Sequence, residues 1–221
     1  MLALEPDEDE REAFLEVARA FPTPELFWDA APSAEWMLTS IDVRRSEILV
    51  PVVKIRRFAL ELVANLHGLD HPLIVDTLNA VRGFLEGTMD LRALNIVRER
   101  ARVYVTSCGV RGIPRCSTSA AGALAAWHAA ALDSVDGALA AVDFAARHDA
   151  FLFAGEAASW TRSDDRADKW REDWRLADFV KHHPQVVKDA INSAQRRYAD
   201  LLRIIVPNPF RQRREVPGSV H

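Results

Sequence analysis

The sequence predicts an all-α fold, a single domain built as a bundle of antiparallel helices, about seven to nine of them. Three observations carry that prediction. Apolar residues recur at steps of three and four along most of the chain. Proline and glycine fall where one such run gives way to the next, and the stretch from Ala120 to Ala158 is rich in alanine, the best helix former. The alternation that marks a half-buried strand is scarce, and the one strand-like run, Arg102 to Val105, continues a helical phase.

Taken in order, Asp7 with Glu10 three residues on reads as a capping box, after which Phe14, Val17 and Phe21 repeat at helical spacing. Pro22 and Pro24 end that helix, and Thr23-Pro24 and Pro32-Ser33 open two short ones carrying Trp28 and Trp36. Val52, Ile55, Ala59, Leu62 and Leu66 then form an inward face, with Lys54, Arg56, Arg57 and Glu61 largely opposite and Gly68 at the end. His71-Pro72 opens the next helix, through Val75, Leu78, Val81 and Leu85 to Gly87. Thr88 or Asp90 caps a third, with Leu91, Leu94, Val97, Ala101, Tyr104 and Cys108 inward. The short links between these three make them antiparallel neighbours.

Gly109 to Cys116 breaks the helical pattern and reads as a loop. Ser117-Thr118-Ser119 supplies N-caps for the alanine-rich stretch, which a turn near Asp133 to Gly137 splits into a hairpin. Pro184 begins a last long helix whose buried side is marked by Val187, Ile191, Ala194, Tyr198, Leu202 and Ile205, and Pro207-Asn208-Pro209 ends it. The chain thus divides into an acidic N-terminal helical extension over 1–33, a helical bundle domain over 34–206 and a loose tail over 207–221.

Composition excludes several classes. With 221 residues, 49% hydrophobic and 27% charged, the chain can bury a full core without disulfides or a metal. A net charge of −4 provides no overall basic field to recruit nucleic acid or an anionic membrane. The longest apolar run, Ile48 to Val53, is far short of the roughly 20 residues that span a bilayer. Glu5 to Glu12 is acidic, the wrong chemistry for a secretory signal, and Cys108 and Cys116 read as free thiols of a reducing compartment in preference to a disulfide closing the loop between them, so a cytoplasmic placement is expected.

Candidate chemistry is sparse. His128, Asp133, Asp136, Asp143, His148, Asp149 and Glu156 fall in one helical stretch, and a metal-dependent enzyme would need His128, Asp136, Asp143 and Glu156 to converge across helices. Asp143 and Arg147, four apart with the acid first, read instead as a solvent-exposed pair. His67 and His71 have the spacing of a zinc pair, but Gly68 and Pro72 interrupt the helix that would align them. Lys181-His182-His183 before Pro184 is a basic patch, and Cys116 at a helix start has the setting of a lowered thiol pKa, though a structural role is simpler for both. Arg211, Arg213 and Arg214 lack the interleaved aromatics of a nucleic-acid site. No nucleophile elbow, P-loop or dinucleotide fingerprint occurs, so no catalytic residue, metal or cofactor is assigned.

Trp160, Trp170 and Trp174 are the feature of most weight, the last two one turn apart among Lys169, Arg171, Glu172, Asp173 and Arg175. Two readings stand: large core residues filling a gap, or a contact surface anchored by Trp160, Trp170, Arg171, Trp174 and Arg175, since Trp and Arg are over-represented at binding hot spots. A homo-oligomer burying this segment against its own copy is a third possibility.

Several segments also carry a resemblance. Ala34-Glu35-Trp36-Met37-Leu38, Lys54-Ile55-Arg56-Arg57-Phe58-Ala59-Leu60, the stretch from Asp76 to Arg102 with Glu86-Gly87 at its turn, the alanine-rich middle, and Asp200-Leu201-Leu202-Arg203 before Asn208-Pro209-Phe210-Arg211 follow one another in an order that resembles a group of uncharacterised helical bacterial proteins. Lys54 to Ala131 is also similar to alanine-rich helical proteins classed as immunity proteins of polymorphic toxin systems. The chain departs from the group's pattern at Val206-Pro207, where a Phe-Gly pair is usual, and in a middle that is less purely alanine. The resemblance implies a helical bundle and a small protein that binds a protein partner such as a toxin domain, and it supplies no catalytic residues.

Overall fold

The computed structural model describes residues 8–110, 118–157, 176 and 179–211. The helices run α1 Glu8–Arg19, α2 Pro24–Ala30, α3 Ala34–Val43, α4 Val52–Ala64, α5 Pro72–Leu85, α6 Leu91–Val110, α7 Thr118–Ala129, α8 Ser134–Ala157 and, following a helical turn at 179–182, α9 Pro184–Ile205. Among the described residues there is no strand: the fold is all-α. No described helix is long and apolar enough to cross a membrane.

The boundaries follow from local chemistry. The Thr23 hydroxyl accepts from the Leu26 amide and the Ser33 hydroxyl from the Trp36 amide, each satisfying an orphan donor of a first turn. Asp90, and not Thr88, caps α6: its carboxylate accepts from the Ala93 amide at 2.7 Å, while the Thr88 hydroxyl donates back to the Gly83 carbonyl. His71 caps α5 through Nδ1, which accepts from the Leu73 amide at 3.3 Å. Gly68 and Gly87 both have φ of +74°, the left-handed conformation that glycine takes without a Cβ clash, and each follows the end of a helix. The Asp7 capping box and the Ser117 cap lie outside the described residues.

Helix α8 is the axis of the bundle, packed against α3, α4, α7 and α9. At 1.5 Å per residue it is about 36 Å long. Ala138, Ala141, Ala145, Ala146, Ala150 and Ala154 are fully buried along it, and Ala123, Ala125, Ala126 and Ala129 are buried on α7, which packs against it. Side chains this small let the helix backbones approach closely. The approach is close at the α7–α8 turn, where a Cβ on Gly137 would lie 2.6 Å from the His128 carbonyl oxygen and 2.7 Å from the Ala131 Cβ. Gly137→Ala is therefore expected to destabilise the fold by about 1–3 kcal/mol through overpacking. Thermal unfolding followed by circular dichroism checks this, and an unchanged midpoint contradicts the close approach.

Four facial assignments from the pattern need correction, beginning with Val52, the first of the inward set of α4, which is exposed. Arg56, expected opposite the apolar face of α4, is 3% exposed. Its guanidinium donates to the carbonyls of Ala131 and Leu132 at 2.8 and 3.1 Å and lies 5.1 Å from the Phe84 ring, so it satisfies the carbonyls that follow α7. In α5 the buried set is Ile74, Thr77, Ala80 and Val81, while Val75 is exposed; Thr77 can turn inward because its hydroxyl donates to the Leu73 carbonyl at 2.6 Å. Leu91, the first residue of α6, is exposed, and the buried stripe begins at Leu94.

The ends of the bundle are tied by polar bonds as well as packing. Gln195 on α9 is buried, and its side-chain oxygen accepts from the Ser33 hydroxyl at 3.1 Å and the Glu35 amide at 3.3 Å. Arg203 donates to the Ala31 carbonyl at the end of α2. After α9 the chain turns back onto α2: the Asn208 amide donates to the Glu25 carbonyl and to Asp29, Arg211 pairs with Asp29 at 2.5 Å, and Phe210 meets Trp28 edge-on with ring centres 6.2 Å apart. Asn208-Pro209-Phe210-Arg211, which carries part of the sequence resemblance, is thus a packing lock. Phe14, Phe27, Trp28 and Phe210 share one core with α3, α4, α7, α8 and α9.

Candidate binding surface

Among the described residues the metal-enzyme set does not converge. Asp136 pairs with Arg45, which also holds Asp42 at 2.5 Å and Asp133 at 2.6 Å, joining the end of α3 to the start of α8. Asp143 pairs with Arg147 at 2.9 Å, as the spacing predicts. Glu156 lies in the last turn of α8, with its side chain outside those described. No group of three metal-ligating residues forms among the described residues.

The remaining titratable groups of that stretch serve the fold. The Asp133 carboxylate accepts from the Val135 and Asp136 amides, capping α8. Burial opposes its ionisation, but the Asp136 amide, Arg45 and the Val135 amide outweigh burial and hold the carboxyl below its usual pKa. Asp133→Ala, which removes the cap and an exposed ion pair together, is expected to cost about 1–2 kcal/mol in denaturant unfolding; no loss would show that the Arg45 cluster contributes nothing. Asp149 accepts from the buried Tyr198 hydroxyl at 2.8 Å and from Arg197 at 2.7 Å, joining α8 to α9, and burial followed by the Asp149 charge pushes the Tyr198 pKa up. His148 is buried with Nδ1 2.8 Å from the Thr118 carbonyl and Nε2 3.0 Å from the His67 carbonyl, bridging α8, the start of α7 and the α4–α5 loop.

His67 contributes its carbonyl to His148, and His71 caps α5 through its ring. The His71 ring stacks on Tyr104 at 3.9 Å, at an open cleft whose lining includes Asp70 and Ser119. Among the described residues no hydrogen bond joins Asp70, His71 and Ser119 into a catalytic relay.

Trp160, Trp170, Arg171, Trp174 and Arg175, the predicted contact residues, lie outside the described residues, as do Cys116, Arg213 and Arg214. A different aromatic–arginine strip emerges on the bundle itself. It crosses the outer side of α7 from α6 to α8. The Arg98 guanidinium lies 4.6 Å from the Trp127 ring; Trp127 meets His128 edge-on at 4.6 Å; His128 stacks on Phe144 at 5.4 Å and 12°; and Arg147 closes the row 6.0 Å from Phe144. Arg98, Trp127, His128 and Phe144 are half-buried and Arg147 is exposed.

The strip has unusual electrostatics. Burial first, and the charge of Arg98 second, push the His128 imidazole down to about 4, so at neutral pH it is an uncharged ring between two cations. Arg147 has its carboxylate in Asp143, whereas no hydrogen bond or ion pair joins Arg98 to another described residue. Arg98 Nε and Trp127 Nε1 are both covered and without an acceptor. A donor left so costs about 1–3 kcal/mol, and such groups call for an explanation. A signal for this strip was present in the sequence. In Ala120 to Ala131 only Leu124, Trp127 and His128 are large, so a close-packed alanine helix must present that pair at its edge.

No protein family, curated protein or solved structure matches this chain.

Proposed function

We propose that this protein acts by binding another protein and not by catalysis, as a toxin-neutralising immunity protein or a partner adaptor. The observation that carries the reading is the half-buried strip from Arg98 to Arg147. It has the composition of an interface anchor, aromatic and arginine side chains mostly half-withdrawn from water, whereas Asp133, Asp136, Asp143, His148 and Asp149 are held in caps, ion pairs and backbone bonds. The toxin-related form of the proposal comes from the sequence resemblance. The segment carrying Trp160, Trp170, Arg171, Trp174 and Arg175 is proposed as a second contact region of the same chemistry.

The test is co-purification of the tagged chain from its native host, followed by calorimetry with the recovered protein. A complex of fixed stoichiometry, weakened at least about tenfold by Trp127→Ala while the variant keeps its helical spectrum, is the expected result. If light scattering shows only self-association and no second protein is retained, the proposal fails in favour of a homo-oligomer. If Trp170→Ala and Trp174→Ala weaken the complex and Trp127→Ala does not, the contact lies in the Trp-rich segment.

A further inference from the structure

We infer that Arg98 is the docking point for a carboxylate side chain on an acidic segment of the partner protein, seated beside Trp127 on the α6–α7 face. This deepens the binding function proposed above and rests on it.

The first support is the isolation of Arg98. The described arginines that are not fully exposed are Arg44, Arg45, Arg56, Arg98 and Arg203. Arg44 pairs with Glu47, Arg45 with three aspartates, Arg56 with two carbonyls, and Arg203 with Asp200 and the Ala31 carbonyl. Arg98 alone among them has no hydrogen bond or ion pair to a described residue; it lies against the Trp127 ring, and the nearby charge that acts on it is Glu99. The adjacent acid, Glu99, is held by Arg102 at 2.7 Å. A guanidinium carries five donors and stays charged in proteins, so a half-buried one without an acceptor has unused capacity for a bidentate partner.

The second support is the surrounding field. Helix α6 carries four arginines, Arg92, Arg98, Arg100 and Arg102, against the one acid Glu99. In a chain of net charge −4 this helix is a local basic edge, and it would steer an acidic surface toward Arg98. The third is the number of charges available. Arg147 is already neutralised by Asp143, and His128 is a neutral ring, so among the described residues of the strip Arg98 is the one cation without an ion pair, over an aromatic floor. One cation suits a single carboxylate; a phosphate dianion would call for more donors and charge than the strip offers.

Titration of the full-length protein with a hexaglutamate peptide at low salt, followed by nitrogen–proton correlation NMR, tests the assignment. Saturable shifts of the Arg98 Nε–H and Trp127 indole N–H signals are expected. Arg98→Gln should weaken the binding at least about tenfold, and Arg100→Gln, on the exposed side of α6, by no more than about twofold. Arg98→Lys serves as a second variant if Arg98→Gln does not fold, and it too should weaken binding because it loses the planar fork. Absence of saturation, shifts that bypass Arg98 and Trp127, or equal binding of inorganic phosphate would each overturn the assignment. A partner complex sensitive to Trp127→Ala but indifferent to Arg98→Gln would overturn the carboxylate alone and leave the proposed function standing. Loss of the complex itself would sink that function whatever the peptide does.

Discussion

Trp28→Ala is expected to destabilise the fold by about 3–5 kcal/mol, the range for removing a buried large aromatic ring. Trp28 is 1% exposed and is among the largest fully buried side chains described, standing where α2, the core helices and the segment after α9 meet. Its edge-on partner Phe210 is 2% exposed, so each ring forms part of the wall of the other's buried site. For a chain of this size the change corresponds to a fall of about 2–4 °C in thermal midpoint per kcal/mol. Phe210→Ala should fall in the same range. Because the two rings touch, the double variant should lose less than the sum, and a strictly additive result would show that the contact between them has no energy of its own.

The sequence made the helices legible because their punctuation is local. Thr23, Ser33, Asp90 and His71 act within three residues of themselves, and Gly68 and Gly87 act through their own φ, so caps and ends could be read without knowledge of the fold. What periodicity missed depends on distant neighbours. Arg56 looks like a surface residue until the carbonyls of Ala131 and Leu132, some 75 positions away, are placed against it. Val75 and Ile74 are equal candidates for the inner face of α5 until α4, α6 and α7 close around that helix. The same holds for the candidate surface: Arg98, Trp127 and Phe144 lie on three helices, and only packing reveals that they form one row. The Trp-rich segment was more conspicuous because its residues are close in sequence.

Acidification should weaken the protein through His128 before it affects the carboxylates. The folded state holds this imidazole at about 4, against an ordinary value of 6.5. Below pH 6.5 the unfolded chain therefore takes up a proton that the folded chain refuses, and stability falls as pH drops until the folded form also protonates near 4. The full shift corresponds to about 3 kcal/mol, present above pH 6.5 and lost by about pH 4. Asp133, whose folded pKa is depressed below the usual carboxylate value, loses its contribution at lower pH still, so the two groups act in separable windows. Urea unfolding at intervals between pH 7 and 4 measures the slope. His128→Phe, which keeps a stacked ring on Phe144 and removes the titrating group, should flatten the profile in that window; an unaltered slope would move the effect to another residue.

The closure of Phe210 onto Trp28 has a consequence for how the molecule is made. On a ribosome the chain emerges in order, at about 5–20 residues per second, so the ring of Trp28 is synthesised roughly 10–35 seconds before the ring that covers it. Throughout that interval α2 has lost one wall of its cavity, and a nascent chain stopped before residue 210 cannot complete it. Through late translation Trp28 stays open on this side, and the last described residues act as the latch that closes it.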